Sequence, residues 1–155
     1  LINSNTYGET STSGGQALNK YISQTITMAD GQEAEDLNVY VTSYRPPQTD
    51  VKIYVKLLHQ EDSETFKQKN WLEMVKDTGG DDTYSSISDR FNYKEYKYLL
   101  PSSSLTGTSR QVQYTNSAGT KFTGYKYFAI KIVLTAENPA IVPRVADLRC
   151  IALQI

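Results

Sequence analysis

DVKIYVKLLH, residues 50–59, alternates more cleanly than any other stretch of the chain: Val51, Ile53, Val55 and Leu57 fall on one side, Lys52, Tyr54 and Lys56 on the other. Successive side chains of an extended chain point to opposite faces, so a period of two sets a branched apolar row against a core and a Lys/Tyr/Lys row toward solvent. The stretch reads as a strand. YRPPQT (44–49) precedes it, and its adjacent prolines have no place inside a central strand. Residues 37–42 alternate in the same way. Two antiparallel strands joined by a short rigid loop are expected.

Outward from this pair, KYISQTITM (20–28) places Ile22, Gln24, Ile26 and Met28 on one face and Tyr21, Ser23, Thr25 and Thr27 on the other, a strand with a wet Ser/Thr face. The longest candidate strand is KFTGYKYFAIKIVLTA (121–136). Phe128, Ile130, Ile132 and Leu134 share one face, while Tyr127, Ala129, Lys131 and Val133 share the other. Apolar character on both faces belongs to a strand in the middle of a sheet. NPAIVP (138–143) interrupts the pattern, and RVADLRCIALQI (144–155) forms a closing strand with Leu148, Cys150 and Ala152 on one side and Ile151, Leu153 and Ile155 on the other. A short strand is expected over 111–114. Phe66, Trp71 and Met74 suit an irregular connection that drops anchors into the sheet edge. Seven or eight strands, separated by Gly, Pro, Ser and Asp turns with little helical period, predict an all-β, antiparallel, jelly-roll-like β-sandwich over residues 20–155.

The chain has 155 residues, enough for one domain with its own core. Sixteen basic and 17 acidic residues leave a net charge of -1, which supplies no electrostatic footprint for nucleic acid or an anionic membrane. No window approaches the ~18 apolar residues of a membrane span, so no membrane insertion is expected and the chain reads as soluble. Residues 1–19 are dominated by Ser, Thr, Gly and Asn and suit a linker or arm. A start at Leu1 fits a fragment of a longer polypeptide.

Few groups suggest catalysis. The only histidine, His59, would have to serve any Ser–His–Asp or Cys–His device, and it reads more simply as a half-exposed turn residue at the end of a strand. One histidine and one cysteine cannot close a zinc site, and Cys150 sits in an apolar run as a small buried hydrophobe. The acidic loop 30–36 lacks the ligand order of a calcium loop and reads as a solvated loop, while 77–82, whose two glycines permit positive backbone angles and whose aspartates could hold an ion, reads rather as a mobile hairpin tip. Phosphate-cradling glycine motifs are absent. Paired carboxylates remain open by count alone, although most acidic residues lie in turn-like clusters such as Glu33, Glu35 and Asp36. The expectation is a non-enzymatic chain with no catalytic residue, no cofactor and no metal. Its candidate interaction surface comprises Lys52, Tyr54 and Lys56 together with Tyr93, Tyr96 and Tyr98 of RFNYKEYKYLL (90–100). Those tyrosines could stack on a sugar or on single-stranded nucleic acid, or simply dress a sheet edge.

Four blocks carry a resemblance: AEDLNVYVTSYRPPQTDVKIYVKLL (34–58), FKQKNWLEM (66–74), GYKYFAIKIVLTA (124–136) and VPRVADLRCIAL (142–153). Together they resemble a β-sandwich domain of large virion structural proteins of tailed bacteriophages, with the closest similarity to those of T4-like phages and cyanophages. The resemblance implies a baseplate or tail-fibre component located in the virion. Its partners would be other virion structural proteins or copies of itself, and its role protein–protein assembly. The alternative is a receptor- or carbohydrate-binding module that recognises a host surface glycan. Twelve tyrosines suit either use, because Tyr buries a large area while its hydroxyl satisfies a polar rim. The resemblance supplies no catalytic residue, and nucleic acid is not expected as a partner.

Overall fold

A computed structural model describes residues 19–80 and 82–155, so the polar arm, Asn19 apart, lies outside the described residues. Among the described residues eleven strands run in chain order as β1 (Lys20–Ile22), β2 (Ile26–Thr27), β3 (Asp36–Tyr44), β4 (Thr49–Leu58), β5 (Leu72–Glu73), β6 (Val75–Lys76), β7 (Lys94–Leu99), β8 (Gln113–Thr115), β9 (Lys121–Thr123), β10 (Tyr127–Ala136) and β11 (Arg144–Leu153). The first sheet has the order β1-β10-β4-β5, with β2 also on β10; the second has the order β11-β3-β7-β6; β8 and β9 form a separate hairpin. All pairings are antiparallel. The fold is the expected all-β sandwich, with more strands than seven or eight. The additional ones are two or three residues long, too short to leave a period in the sequence.

The core lies between the two large sheets. Val51, Ile53, Val55 and Leu57 of β4 and Phe128, Ile130 and Ile132 of β10 face Leu37, Val39 and Val41 of β3 and Tyr96 and Tyr98 of β7. Leu148, Cys150 and Ala152 of β11 pack against its margin. β10 pairs with β4 over ten residues, from Tyr127↔Leu58 to Ala136↔Thr49, and is covered on both faces as its composition predicts.

Strands β3 and β4 do not form a hairpin. β4 pairs with β10, while β3 pairs with β11 and β7 in the opposite sheet. Their apolar rows face each other across the interior, and the intervening turn carries the chain from one sheet to the other. Pro46 and Pro47 donate no ladder hydrogen bond there, Gln48 takes a left-handed φ of 70°, and Thr49 closes the turn through Oγ1 to the Pro46 carbonyl at 2.7 Å.

The outward row of β4 is also less wet than its alternation suggests. Lys52 and Lys56 are half-buried, but Tyr54 is buried with Trp71, Ala129 and Val133 in a second apolar cluster, against which Phe66 packs. The segment after β4 returns across this face and sets Trp71 on it, as an irregular connection should. Lys131, 1% exposed, places its Nζ 4.7 Å from the ring centres of both Tyr54 and Trp71, and Lys56 Nζ lies 4.8 Å from that of Trp71. Burial, then the charge of Lys131, lowers the Lys56 pKa.

Residues 20–28 divide into two short strands on β10, with Ile22 and Ile26 exposed rather than buried, while Tyr21 is exposed as its face predicts. Between them, the Ser23 amide donates to the Ile130 carbonyl at 2.8 Å and its hydroxyl accepts from the Ile130 amide at 2.9 Å. The long 121–136 candidate divides too, at Gly124. Its φ is +84°, and a Cβ there would lie 2.9 Å from the Ala34 carbonyl oxygen, at the point where Ala34 and Tyr125 exchange backbone hydrogen bonds of 3.0 and 2.8 Å. Gly124→Ala should therefore destabilise the fold by about 1–3 kcal/mol through left-handed strain and contact with backbone, read as a lowered denaturation midpoint. Gly119→Ala keeps the strain, with φ +86°, but meets nothing within 4 Å, so it should cost less.

Candidate interaction surface

The six residues marked by the sequence do not share a surface. Lys52, Tyr54 and Lys56 lie on the outer face of the first sheet. Tyr96 and Tyr98 are 0% and 2% exposed, because β7 is an inner strand, between β3 and β6, and turns these rings into the core. They form neither a stacking platform nor the dress of a sheet edge. Their hydroxyls are satisfied inside the protein: Tyr96 donates to the Thr83 carbonyl at 2.6 Å and Tyr98 to the Val51 carbonyl of the opposite sheet at 2.8 Å. Burial raises the Tyr98 pKa. Tyr93 alone lies near the exposed end of the sandwich, half-buried with its ring 6.3 Å from that of Tyr44.

That end is built from the crossing turn outward. Arg45, 3% exposed, sits with its guanidinium carbon 4.2 Å from the Tyr84 ring centre and 4.8 Å from that of Tyr96. Its Nη2 donates to the Asp82 carbonyl at 3.1 Å, and the Asp50 and Asp82 carboxylates lie 3.8 and 3.7 Å away. The Arg45 amide donates to Ser85 Oγ at 3.0 Å, and the Ser85 amide donates back to the Arg45 carbonyl at 2.9 Å. The base of loop 82–93 is thus fixed to the sheet crossing. Farther out, Asn92 Oδ1 accepts from the Ser86 amide at 2.9 Å and Asp89 Oδ1 from the Phe91 amide at 3.0 Å. This local bonding is the usual way short polar side chains hold a turn. The loop so held presents Ile87 at 60% and Phe91 at 75% exposure.

Facing it is the connection from β10 to β11. Asn138 holds this connection by accepting from the Ala140 amide at its Oδ1 and from the Ile141 amide at its carbonyl, both at 3.0 Å. Val142 projects from it, exposed. A groove of about 550 Å³ runs between the two loops, lined by Tyr44, Ile87, Arg90, Ile141, Val142 and Arg144. The Arg144 guanidinium lies 5.2 Å from the Tyr44 ring centre, and its Nη2 donates to the Arg90 carbonyl at 3.4 Å. The Arg90 guanidinium lies 5.8 Å from the Phe91 ring centre. The alternation of neighbouring strands gives no hint of this surface. The available signal is ISDRF (87–91), large apolar residues isolated in a polar stretch with no period to bury them.

The other candidates are occupied by structural work. His59 is buried rather than half-exposed. Its Nδ1 accepts from the Glu61 amide at 3.1 Å, its Nε2 lies 3.4 Å from Glu33 Oε1, and its ring stacks on Phe122 at 5.1 Å. Cys150 is half-buried, and burial pushes its thiol up to about 11, away from nucleophile range. Asp77 caps its own turn through the Gly79 amide at 3.0 Å, while Asp82 faces Arg45 and Lys76. A second cavity of about 470 Å³ has Trp71, Leu72, Gln68 and Glu64 in its wall, but two lysines already stand against the Trp71 ring. Among the described residues no cluster of three His, Cys, Asp or Glu could hold a metal, and no helix is long and apolar enough to cross a membrane.

Beside that cavity, Asp62 holds loop 59–71 to the β8–β9 hairpin. Its Oδ2 lies 2.5 Å from Lys69 Nζ and accepts from the Tyr114 hydroxyl at 2.7 Å, while Oδ1 accepts from the Glu64 amide at 3.0 Å. Burial alone would raise its pKa, but the hydrogen bonds from Lys69, the Glu64 amide, Tyr114 and Asn116 outweigh it and hold the group at about 2 against an ordinary 3.8. A depressed carboxylate pKa means that the folded state binds fewer protons. The contribution is therefore complete above pH 3.8 and disappears as pH falls through about 2. Asp62→Asn should flatten the stability curve in that window, as measured by denaturant titration at stepped pH. An unchanged slope between pH 4 and pH 2 would remove Asp62 as a source of acid sensitivity.

No family model, curated protein or solved structure matches the chain.

Proposed function

We propose that the chain is a non-enzymatic structural module of a phage virion, a baseplate, tail or tail-fibre component that mediates protein–protein assembly through the end of the sandwich carrying loop 82–93. The observation that carries this reading is the joint exposure of Ile87, Phe91 and Val142 beside one groove. Large apolar side chains gathered at a surface and bordered by arginine and tyrosine have the composition of a contact between proteins. The tight anchoring of both loops keeps the conformational cost of docking small. The virion assignment is supported by the resemblance of the strand blocks to phage structural domains. A host-glycan module is the weaker reading, because Tyr96 and Tyr98, its proposed stacking rings, lie in the core.

The test is recovery of the chain in purified particles assembled with variants. Ile87→Ser and Phe91→Ser change exposed side chains and should leave the melting temperature within a few degrees of wild type. Each should lower the copies per particle at least tenfold, as counted by quantitative mass spectrometry. Wild-type incorporation of folded variants would overturn the assignment of this surface, and a glycan array that retained wild-type chain but not Phe91→Ser would replace assembly with host recognition.

A further inference from the structure

We infer that the groove between loops 82–93 and 137–143 receives an acidic segment of another protein, its carboxylates on Arg90 and Arg144 and an apolar side chain between Ile87 and Val142. This inference rests on the assembly reading above and deepens it by naming the chemistry of the partner.

The first support is charge. Both charged side chains that line the groove are arginines. No carboxylate among the described residues lies within 4 Å of either, whereas Arg45 has Asp50 and Asp82, and Arg149 has Glu95 at 3.4 Å. The acid adjacent to Arg90 in sequence, Asp89, already uses Oδ1 to hold the Phe91 amide. Two cations with no anion of their own among the described residues favour an anionic visitor.

The second support is preorganisation. Tyr44 stands against the Arg144 guanidinium, and the Arg90 carbonyl accepts from its Nη2, so that side chain is already placed at the groove. A planar guanidinium held in this way can meet a carboxylate through two parallel hydrogen bonds with little further loss of freedom. The third is the apolar wall. Ile87, Ile141 and Val142 line the same groove, so a free anion would leave most of the surface unused, while a peptide carrying a Leu or Phe beside its acid would cover both parts. That contiguity favours a polypeptide over a nucleic acid backbone or an inorganic ion.

The experiment titrates the 155-residue chain with three capped hexapeptides that share two Leu and two Phe and carry two Glu, two Gln or two Lys, followed by amide shifts in ¹⁵N-edited spectra. The Glu peptide should shift the resonances of Ile87, Arg90, Val142 and Arg144 saturably. Its affinity should exceed that of the Gln peptide at least tenfold, fall with added salt, and fall tenfold in the Arg90→Gln/Arg144→Gln double variant but not in Lys121→Gln on β9. Equal binding of the Glu and Gln peptides, shifts centred elsewhere, or no binding at millimolar peptide would overturn the inference. So would displacement of the Glu peptide by equimolar inorganic phosphate, which would mark a simple anion site, or concentration-dependent dimerisation that blocks the groove, which would make the occupant a second copy. Particle incorporation separates the two levels. If Phe91→Ser is excluded while the double arginine variant incorporates normally, assembly through this end stands and the acidic partner fails; if both incorporate normally, both fail.

Discussion

A cation held in the interior at the point where the chain changes sheets organises much of this molecule. Arg45 follows β3 and precedes the two prolines, in the turn that carries the chain into β4 on the opposite side of the core. A buried guanidinium is costly unless its charge and donors are answered. Here the answer comes mainly from segments remote in sequence, the rings of Tyr84 and Tyr96 and the carbonyl and carboxylate of Asp82, with the carboxylate of Asp50 added from the start of β4. Its Nε alone is buried without a hydrogen-bond partner. The residual cost is accepted at a position that ties a strand of each sheet and the surface loop 82–93 to one side chain.

The consequence runs outward. Loop 82–93 contains no strand, yet its base is fixed by reciprocal bonds between Arg45 and Ser85, and its tip by Asn92 and Asp89. Loops of this kind carry function because a rigid framework positions them while their own side chains remain free to meet a partner. Ile87 and Phe91 owe their exposure to that arrangement. They lie on a segment too firmly tethered to fold them inward.

Much of the framework was legible in the alternation. The β4 row, the double-sided β10 and the grouping of Leu148, Cys150 and Ala152 on one face of β11 all follow from a period of two, because each strand is long enough to express it, although both faces of β11 are apolar in sequence and the period does not say which turns inward. Two things escaped. Alternation states which face is apolar but not which sheet a strand joins, so β3 and β4 resembled a hairpin although each pairs elsewhere. It also does not identify what covers the other face. Tyr54 reads as solvent-facing until Trp71 returns over it, and Tyr96 and Tyr98 read as surface aromatics until β7 is placed between two neighbours. The proposed interaction surface was the least legible part, since it is assembled from loops that have no period and meet only through the crossing turn and the β10–β11 connection.

The distribution of polar chemistry separates the interior from the surface more sharply than charge counts suggest. Arg45, Lys69 and Lys131 are buried cations, Asp62 is a buried anion, and each has close aromatic or ionic company. Buried polar groups that are fully engaged rigidify a fold and select one packing arrangement, but they are poorly placed to meet a ligand. Arg90 and Arg144 differ in kind. They are exposed, lack a carboxylate partner among the described residues, and stand beside apolar side chains that lack a cover. An arginine against an aromatic ring keeps its in-plane donors available while the ring shields one face of the ion. A carboxylate arriving there would meet donors held in place by the ring and by the Arg90 carbonyl, and the same approach would bring the apolar wall into contact, so the polar and apolar halves of the groove would reinforce each other only for a ligand that carries both.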